Sequence, residues 1–176
     1  MLYEFDSKRP AIGKDTYVSD LATLIGDVVI GDNCYIGHGI IIRGDYGRIE
    51  IRDGTAVEEG AVIHVPPNET SYIGLKVTIG HGAIIHSSRI GDLAVIGMGA
   101  VLSIRSEIGE RSIIAEGGVV KENQVIASGV VAAGNPVKII RKVAKKDEDR
   151  WEWGKQLYID LAKKYLDKKM KPVLIK

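Results

Sequence analysis

Aliphatic residues recur at every sixth position over most of this chain. One run is Val18, Leu24, Ile30, Ile36 and Ile42, and a second is Ile51, Val57 and Ile63. A third is Ile73, Ile79 and Ile85, and a fourth runs Ile90, Ile96, Leu102, Ile108, Ile114, Val120 and Ile126. Glycine follows the aliphatic position at Gly31, Gly37, Gly74, Gly80, Gly91, Gly97 and Gly109. A lasting period of six fits neither a helix nor a simple alternating strand. It fits a short strand plus a turn, with the aliphatic side chain inward and the small residue letting the chain round a corner. Three such units make one coil of a triangular prism, and stacked coils bury one another's faces. The eighteen units predict six coils, at about 4.8 Å per coil a prism roughly 29 Å tall.

The register breaks between Ile42 and Ile51, between Ile63 and Ile73, and between Ile85 and Ile90. Such breaks are expected as loops on one side of the prism, where sites are often carried. Asn135-Pro136 should stop the repeat. From Ala144 the spacing turns helical: Trp151, Tyr158, Leu161 and Tyr165, with Leu157 beside them, share one side. Lys145, Lys146, Asp147, Glu148, Asp149, Lys163, Lys164, Lys168 and Lys169 fill the rest. The expected division is a mainly β prism over 1–143 and a helix over 144–176, laid along the prism or a neighbouring subunit. The Lys and Trp content also suits a membrane-surface helix.

Composition narrows the function. A chain of 176 residues makes one domain. Lys and Arg total 24 against 23 Asp and Glu, a net charge of +1, which argues against nucleic-acid binding. Aromatics are 6% with one Phe, so Val, Ile and Ala must build the core. The absence of a long apolar run argues against a membrane span. Met1 to Pro10 lacks an apolar stretch, so no signal peptide is expected. Cys34 is the lone cysteine, which excludes an intramolecular disulfide. A cytoplasmic protein is the expectation.

The histidines are the candidate chemistry. His64 follows Ile63 and His86 follows Ile85, three units apart, so they should stack in adjacent coils. Arg43 follows Ile42 and joins the same column one coil below. His81 follows Ile79 by two and belongs to another corner. In a threefold assembly, His64 and His86 of one chain could meet His81 of the next on one ion. Three neutral imidazoles with an open fourth position suit catalytic zinc. The competing reading is a set of solvated or hydrogen-bonded side chains, which is the expectation for His38.

With Arg43-Gly44-Asp45, Ala61-Val62-Ile63-His64, Ile79-Gly80-His81, Ile84-Ile85-His86 and the Ala133-Gly134-Asn135-Pro136 ending, nearly the whole chain resembles the gamma-class carbonic anhydrase-like proteins. The resemblance implies a left-handed parallel β-helix with a C-terminal α-helix, in a homotrimer with metal sites between subunits. His64 and His86 of one chain and His81 of its neighbour would be the ligands, and carbon dioxide and bicarbonate the substrates. Zinc is the implied ion; imidazoles suit Fe2+ and Co2+ as well. Arg43 and Asp45 match a pair used at the interface near the metal, and Tyr158 is the candidate for a helix tyrosine that approaches it. Where the family commonly reads Thr-Asn-Ile-Gln-Asp, this chain has Thr55-Ala56-Val57-Glu58-Glu59. Glu58 thus replaces an amide. It can take a proton from bound water, orient hydroxide or bind the metal, and its charge opposes bicarbonate. The loop after His64 is short, with Glu69 its one acid. Three rival readings remain: a metal-dependent hydrolase or small-molecule binder of thioesterase or siderophore type, a CoA-dependent acyltransferase, and a structural trimer.

Overall fold

The computed structural model describes residues 1–168, 170, 171 and 173; Lys169 lies outside them. The strands form a parallel β-helix with three faces. The first face stacks Leu2–Tyr3, the start of Thr23–Ile30, the start of Ile41–Ile51, Val62–His64, Ile84–His86, Val101–Leu102 and Val119–Val120. The second stacks Ala11–Ile12, the ends of the same two long strands, Thr70–Ile73, Arg89–Ile90, Glu107–Ile108 and Val125–Ile126. The third runs from Tyr17–Val18 through Thr78–Ile79 to Val130–Gly134, and closes with Val137–Lys142, paired antiparallel after the turn at Asn135-Pro136.

Each face therefore has seven parallel rungs rather than six. The additional coil comes from the ends. Ile12 and Leu2 precede the first aliphatic of the regular run, and Ala132 follows the last. Inside the prism, Leu24, Ile42, Ile63, Ile85, Leu102 and Val120 form one column with no exposed surface. Ile36, Val57, Ile79, Ile96 and Ile114 form another, equally enclosed. Burying each such side chain favours folding by about 1.5–3 kcal/mol.

The glycines after the aliphatic positions work differently from the expectation. They do not turn the corner; they let the next coil approach. A Cβ on Gly97 would lie 2.5 Å from the Glu116 nitrogen and 2.7 Å from the Ala115 carbonyl carbon. The corner itself is turned at residues such as Gly82, whose φ of +67° suits glycine and whose surroundings are open.

The three breaks also differ from one another. The first is no loop, because Ile41–Ile51 is one continuous strand that bends round a corner. The second is a true turn over 65–69. The third is a tight corner at Ser87-Ser88, one residue short of the repeat, with Ser87 at φ 51°.

The C-terminal helix spans Lys145–Lys168. The Asp147 carboxylate accepts the Ala144 N–H at 2.9 Å and pairs with Arg141, which satisfies the helix start. The helix packs on its own prism, against the third face. Tyr158, Leu161 and Tyr165 join Tyr17 and Tyr35 around Ala162. Tyr17 stacks on Tyr165 at 4.6 Å, and Tyr35 lies 5.1 Å from Tyr158. The docked stripe includes Lys155, which is buried, whereas Leu157 faces solvent. No described helix is long and apolar enough to cross a membrane.

Candidate metal centre

Two clusters of chemically capable side chains lie at opposite edges of the first face. The first is a product of register. Arg43, His64 and His86 are paired residues on successive rungs. Their strands are parallel and in step, so the three side chains leave the prism in one direction. The imidazoles of His64 and His86 stack with centroids 5.2 Å apart. Arg43 Nη1 donates to Asp45 Oδ2 at 2.5 Å. Burial opposes ionisation of Asp45, but the hydrogen bond and charge of Arg43 outweigh it and hold the carboxyl below its ordinary range.

His64 decides what this cluster can do. Its Nε2 is buried and has no hydrogen-bond partner among the described residues. Asp45 Oδ1 stands 3.7 Å away, beyond a hydrogen bond. Burial lowers the pKa of His64, and Arg43 and His86 lower it further against the pull of Asp45. A neutral imidazole with an unused buried nitrogen beside a second imidazole is suited to a metal ion.

The second cluster surrounds His81, on the corner between the third and first faces. Its Nε2 is 3.1 Å from Glu58 Oε2 and its Nδ1 is 2.9 Å from Glu59 Oε2. The Tyr35 hydroxyl donates to Glu59 Oε1 at 2.7 Å. Tyr158 reaches the same place from the helix, beside Glu58. Burial raises the Glu58 pKa, while His81 and Tyr158 oppose the rise. Burial likewise raises the Tyr158 pKa, keeping the phenol a donor.

The structure thus gathers Arg43, Asp45, His64 and His86 at one edge, and Glu58, His81 and Tyr158 at the other. Within one chain the two groups do not meet. Among the described residues no three His, Cys, Asp or Glu side chains of the chain are arranged to hold an ion. Between them the first face exposes apolar side chains, with Ile41 and Ile84 more than 40% exposed. His38 takes a local role, its Nδ1 bonded to the Ser19 hydroxyl and its ring edge-on to Tyr165 at 5.7 Å.

Sequence reasoning passed over Glu59, Tyr35 and Lys155. Glu59 was findable, because it sits one coil below His81 on the same corner: Gly82 N–H bonds the Glu59 carbonyl as Gly99 N–H bonds that of His81. The loop acid Glu69 is pinned. Its carboxylate accepts from Ser87 and from Arg105 Nη2 at 2.7 Å, so it is not a free proton carrier. The cavity of about 620 Å3 between helix and third face, bordered by Val95, Ile113, Trp151 and Lys155, lies away from the histidines.

Seven parallel rungs, six-residue units and two edge clusters of histidine define a hexapeptide-repeat β-helix protein. The family model for bacterial transferase hexapeptide (six repeats) matches residues 9–44. A carbonic anhydrase of Geobacillus kaustophilus is 37% identical over 94% of this chain and 91% of its own length. The mitochondrial gamma carbonic anhydrase 2 of Arabidopsis thaliana is 35% identical over 88% of this chain, which spans 58% of that longer protein. The crystal structure of a putative acetyltransferase from Bacillus cereus superposes with a TM-score of 0.92 at 30% identity, covering 94% of this chain and 96% of that one. The chain belongs to the gamma-class carbonic anhydrase-like family of hexapeptide-repeat proteins.

Proposed function

We propose that the protein hydrates carbon dioxide to bicarbonate at metal sites formed between three copies of the chain. The observation that carries this reading is the unpartnered Nε2 of neutral His64, stacked on His86, with His81 at the opposite edge of the same face. Because the two half-sites sit on opposite edges, a twofold contact would place like against like. A head-to-tail contact repeated round a ring joins unlike edges and closes. The exposed Ile41 and Ile84 between the edges are the surface such a contact would cover.

His64 and His86 of one copy and His81 of the next would hold the ion, zinc or another imidazole-binding divalent metal. When bound, such an ion acts as a Lewis acid and makes water acidic enough to serve as a nucleophile near neutral pH. The chain's own groups do the rest. Arg43, oriented by Asp45, keeps further N–H donors for an anionic oxygen. Buried Glu58 brings a carboxylate to within 3.1 Å of His81, with Tyr158 beside it. Stopped-flow hydration of carbon dioxide by metal-loaded protein tests the proposal. A rate no higher than that of His86→Ala overturns it.

A second reading is a metal-dependent hydrolase or acyl-transferring protein on the same scaffold. It is favoured by Glu58, which replaces the expected amide with a carboxylate, and by the similarity to the putative acetyltransferase. Acyl-CoA hydrolysis or acetyl transfer without carbon dioxide hydration would select it.

A further inference from the structure

We infer that Glu58 is itself a metal donor, so that assembled chains offer three histidines and one carboxylate. This rests on the metal reading above and adds a ligand to it. Four observations converge on His81 and its neighbours.

Glu59 approaches one nitrogen of His81 closely. Its Oε2 stands 2.9 Å from Nδ1, and because an ionised carboxylate offers only acceptors, the proton on Nδ1 is the arrangement that suits this approach. The Tyr35 hydroxyl holds the other Glu59 oxygen at 2.7 Å, which locks the carboxylate in that pose. Nε2 is then left with its lone pair, the arrangement that carboxylates behind metal-binding histidines impose.

That lone pair faces Glu58. Oε2 is 3.1 Å from Nε2, and two acceptors that close repel unless a cation serves both. Adjacent donors bound to one ion at about 2.0–2.2 Å stand about 3.0–3.5 Å apart. The separation therefore matches neighbouring positions in one coordination sphere.

Glu58 is also held there. Only 6% of it is exposed, and Tyr158 and the His81 backbone lie beside its carboxylate. A freely rotating glutamate would have to be ordered before binding; this one is ordered already.

The donor set predicts the class of ion. Three imidazoles and a carboxylate fill all four positions of a tetrahedral ion. Ions that accept five or six donors, such as Fe2+, Co2+ or Mn2+, keep positions for water and substrate. The rival explanation is a plain ion pair, in which Glu58 holds a doubly protonated His81 and opposes metal. The two differ in sign when Glu58 is neutralised.

The experiment is Co2+ titration of the metal-stripped full chain against a competing chelator, with the visible absorption spectrum recorded, for the wild type, Glu58→Gln and Glu58→Asp. Glu58→Gln keeps size and a side-chain oxygen but removes the charge. Glu58→Asp keeps charge but withdraws the oxygen. Both are expected to weaken Co2+ by about tenfold or more and to intensify the visible bands as the coordination number falls. Unchanged or tighter binding by Glu58→Gln, with an unchanged spectrum, overturns the role of Glu58 and leaves the histidine site standing. Failure of the wild type to bind Co2+ overturns both.

Discussion

Lys155 should be a liability to the fold, and removing its charge should stabilise the protein. The side chain is 6% exposed. Its Nζ donates to Thr78 Oγ1 at 3.2 Å and to the Ala94 carbonyl at 3.1 Å, both uncharged. Burial brings its pKa from the ordinary 10.5 down to about 7, against the attraction of Glu58. At about 1.4 kcal/mol per pH unit, that displacement corresponds to about 5 kcal/mol. Below about pH 7 both folded and unfolded chains carry the proton, and the fold bears the whole cost. Between pH 7 and 10.5 only the unfolded chain holds the proton, so stability rises with pH. Above 10.5 the cost is gone. Lys155→Met keeps the apolar stem and a good helix former. It gives up two hydrogen bonds of about 1 kcal/mol each. The Ala94 carbonyl keeps its bond from the Thr78 N–H at 3.1 Å. The expected gain is about 3 kcal/mol at pH 6, shrinking to nothing or a small loss by about pH 10. Urea unfolding from pH 6 to 10, at one protein concentration because any subunit assembly would shift the transition, measures it. No gain at pH 6, or a difference that ignores pH, would refute the reasoning.

Gly97→Ala should lower stability by about 1–3 kcal/mol, because its Cβ meets the backbone of the next coil. Gly82→Ala has open space and only an unfavourable φ, so it should cost about 1 kcal/mol; thermal unfolding of the pair separates close approach from backbone strain. The pKa of Glu69 is lowered by the Ser87 hydroxyl and by Arg105, with burial opposing. Its contribution is therefore present above the ordinary glutamate pKa and lost as pH falls through the lower folded value. Arg105 is 57% exposed, so Glu69→Gln should remove less than about 1 kcal/mol, and only above that acid range, as acid-unfolding curves would record.

The prism was legible because its coils repeat one physical demand. Ile63 and Ile85 must both point inward on adjacent rungs, and that alone stacks His64 on His86 and aligns Arg43 beneath them. The ends were less legible. A terminal coil has one neighbour, so Leu2 can stay half exposed. The contact between Glu59 and His81 and the burial of Lys155 were hidden for different reasons. Tyr35 meets Glu59 and Glu59 meets His81 from successive coils, contacts that a period of six places in a column but does not aim. Lys155 occupies a core position on the helix stripe, yet its type reads as solvent-facing until the third face supplies Thr78 and Ala94. The register of a single chain also places the half-sites at opposite edges without showing what completes them.

The most direct test is metal content per chain together with sedimentation mass, for the wild type and His64→Ala. One ion per chain on a particle three times the 19.1 kDa chain mass, with the ion lost from His64→Ala, is the expected result. Full metal retention by the His64→Ala protein, or a monomer that binds metal as tightly as the assembly, would contradict a site built between copies from these histidines.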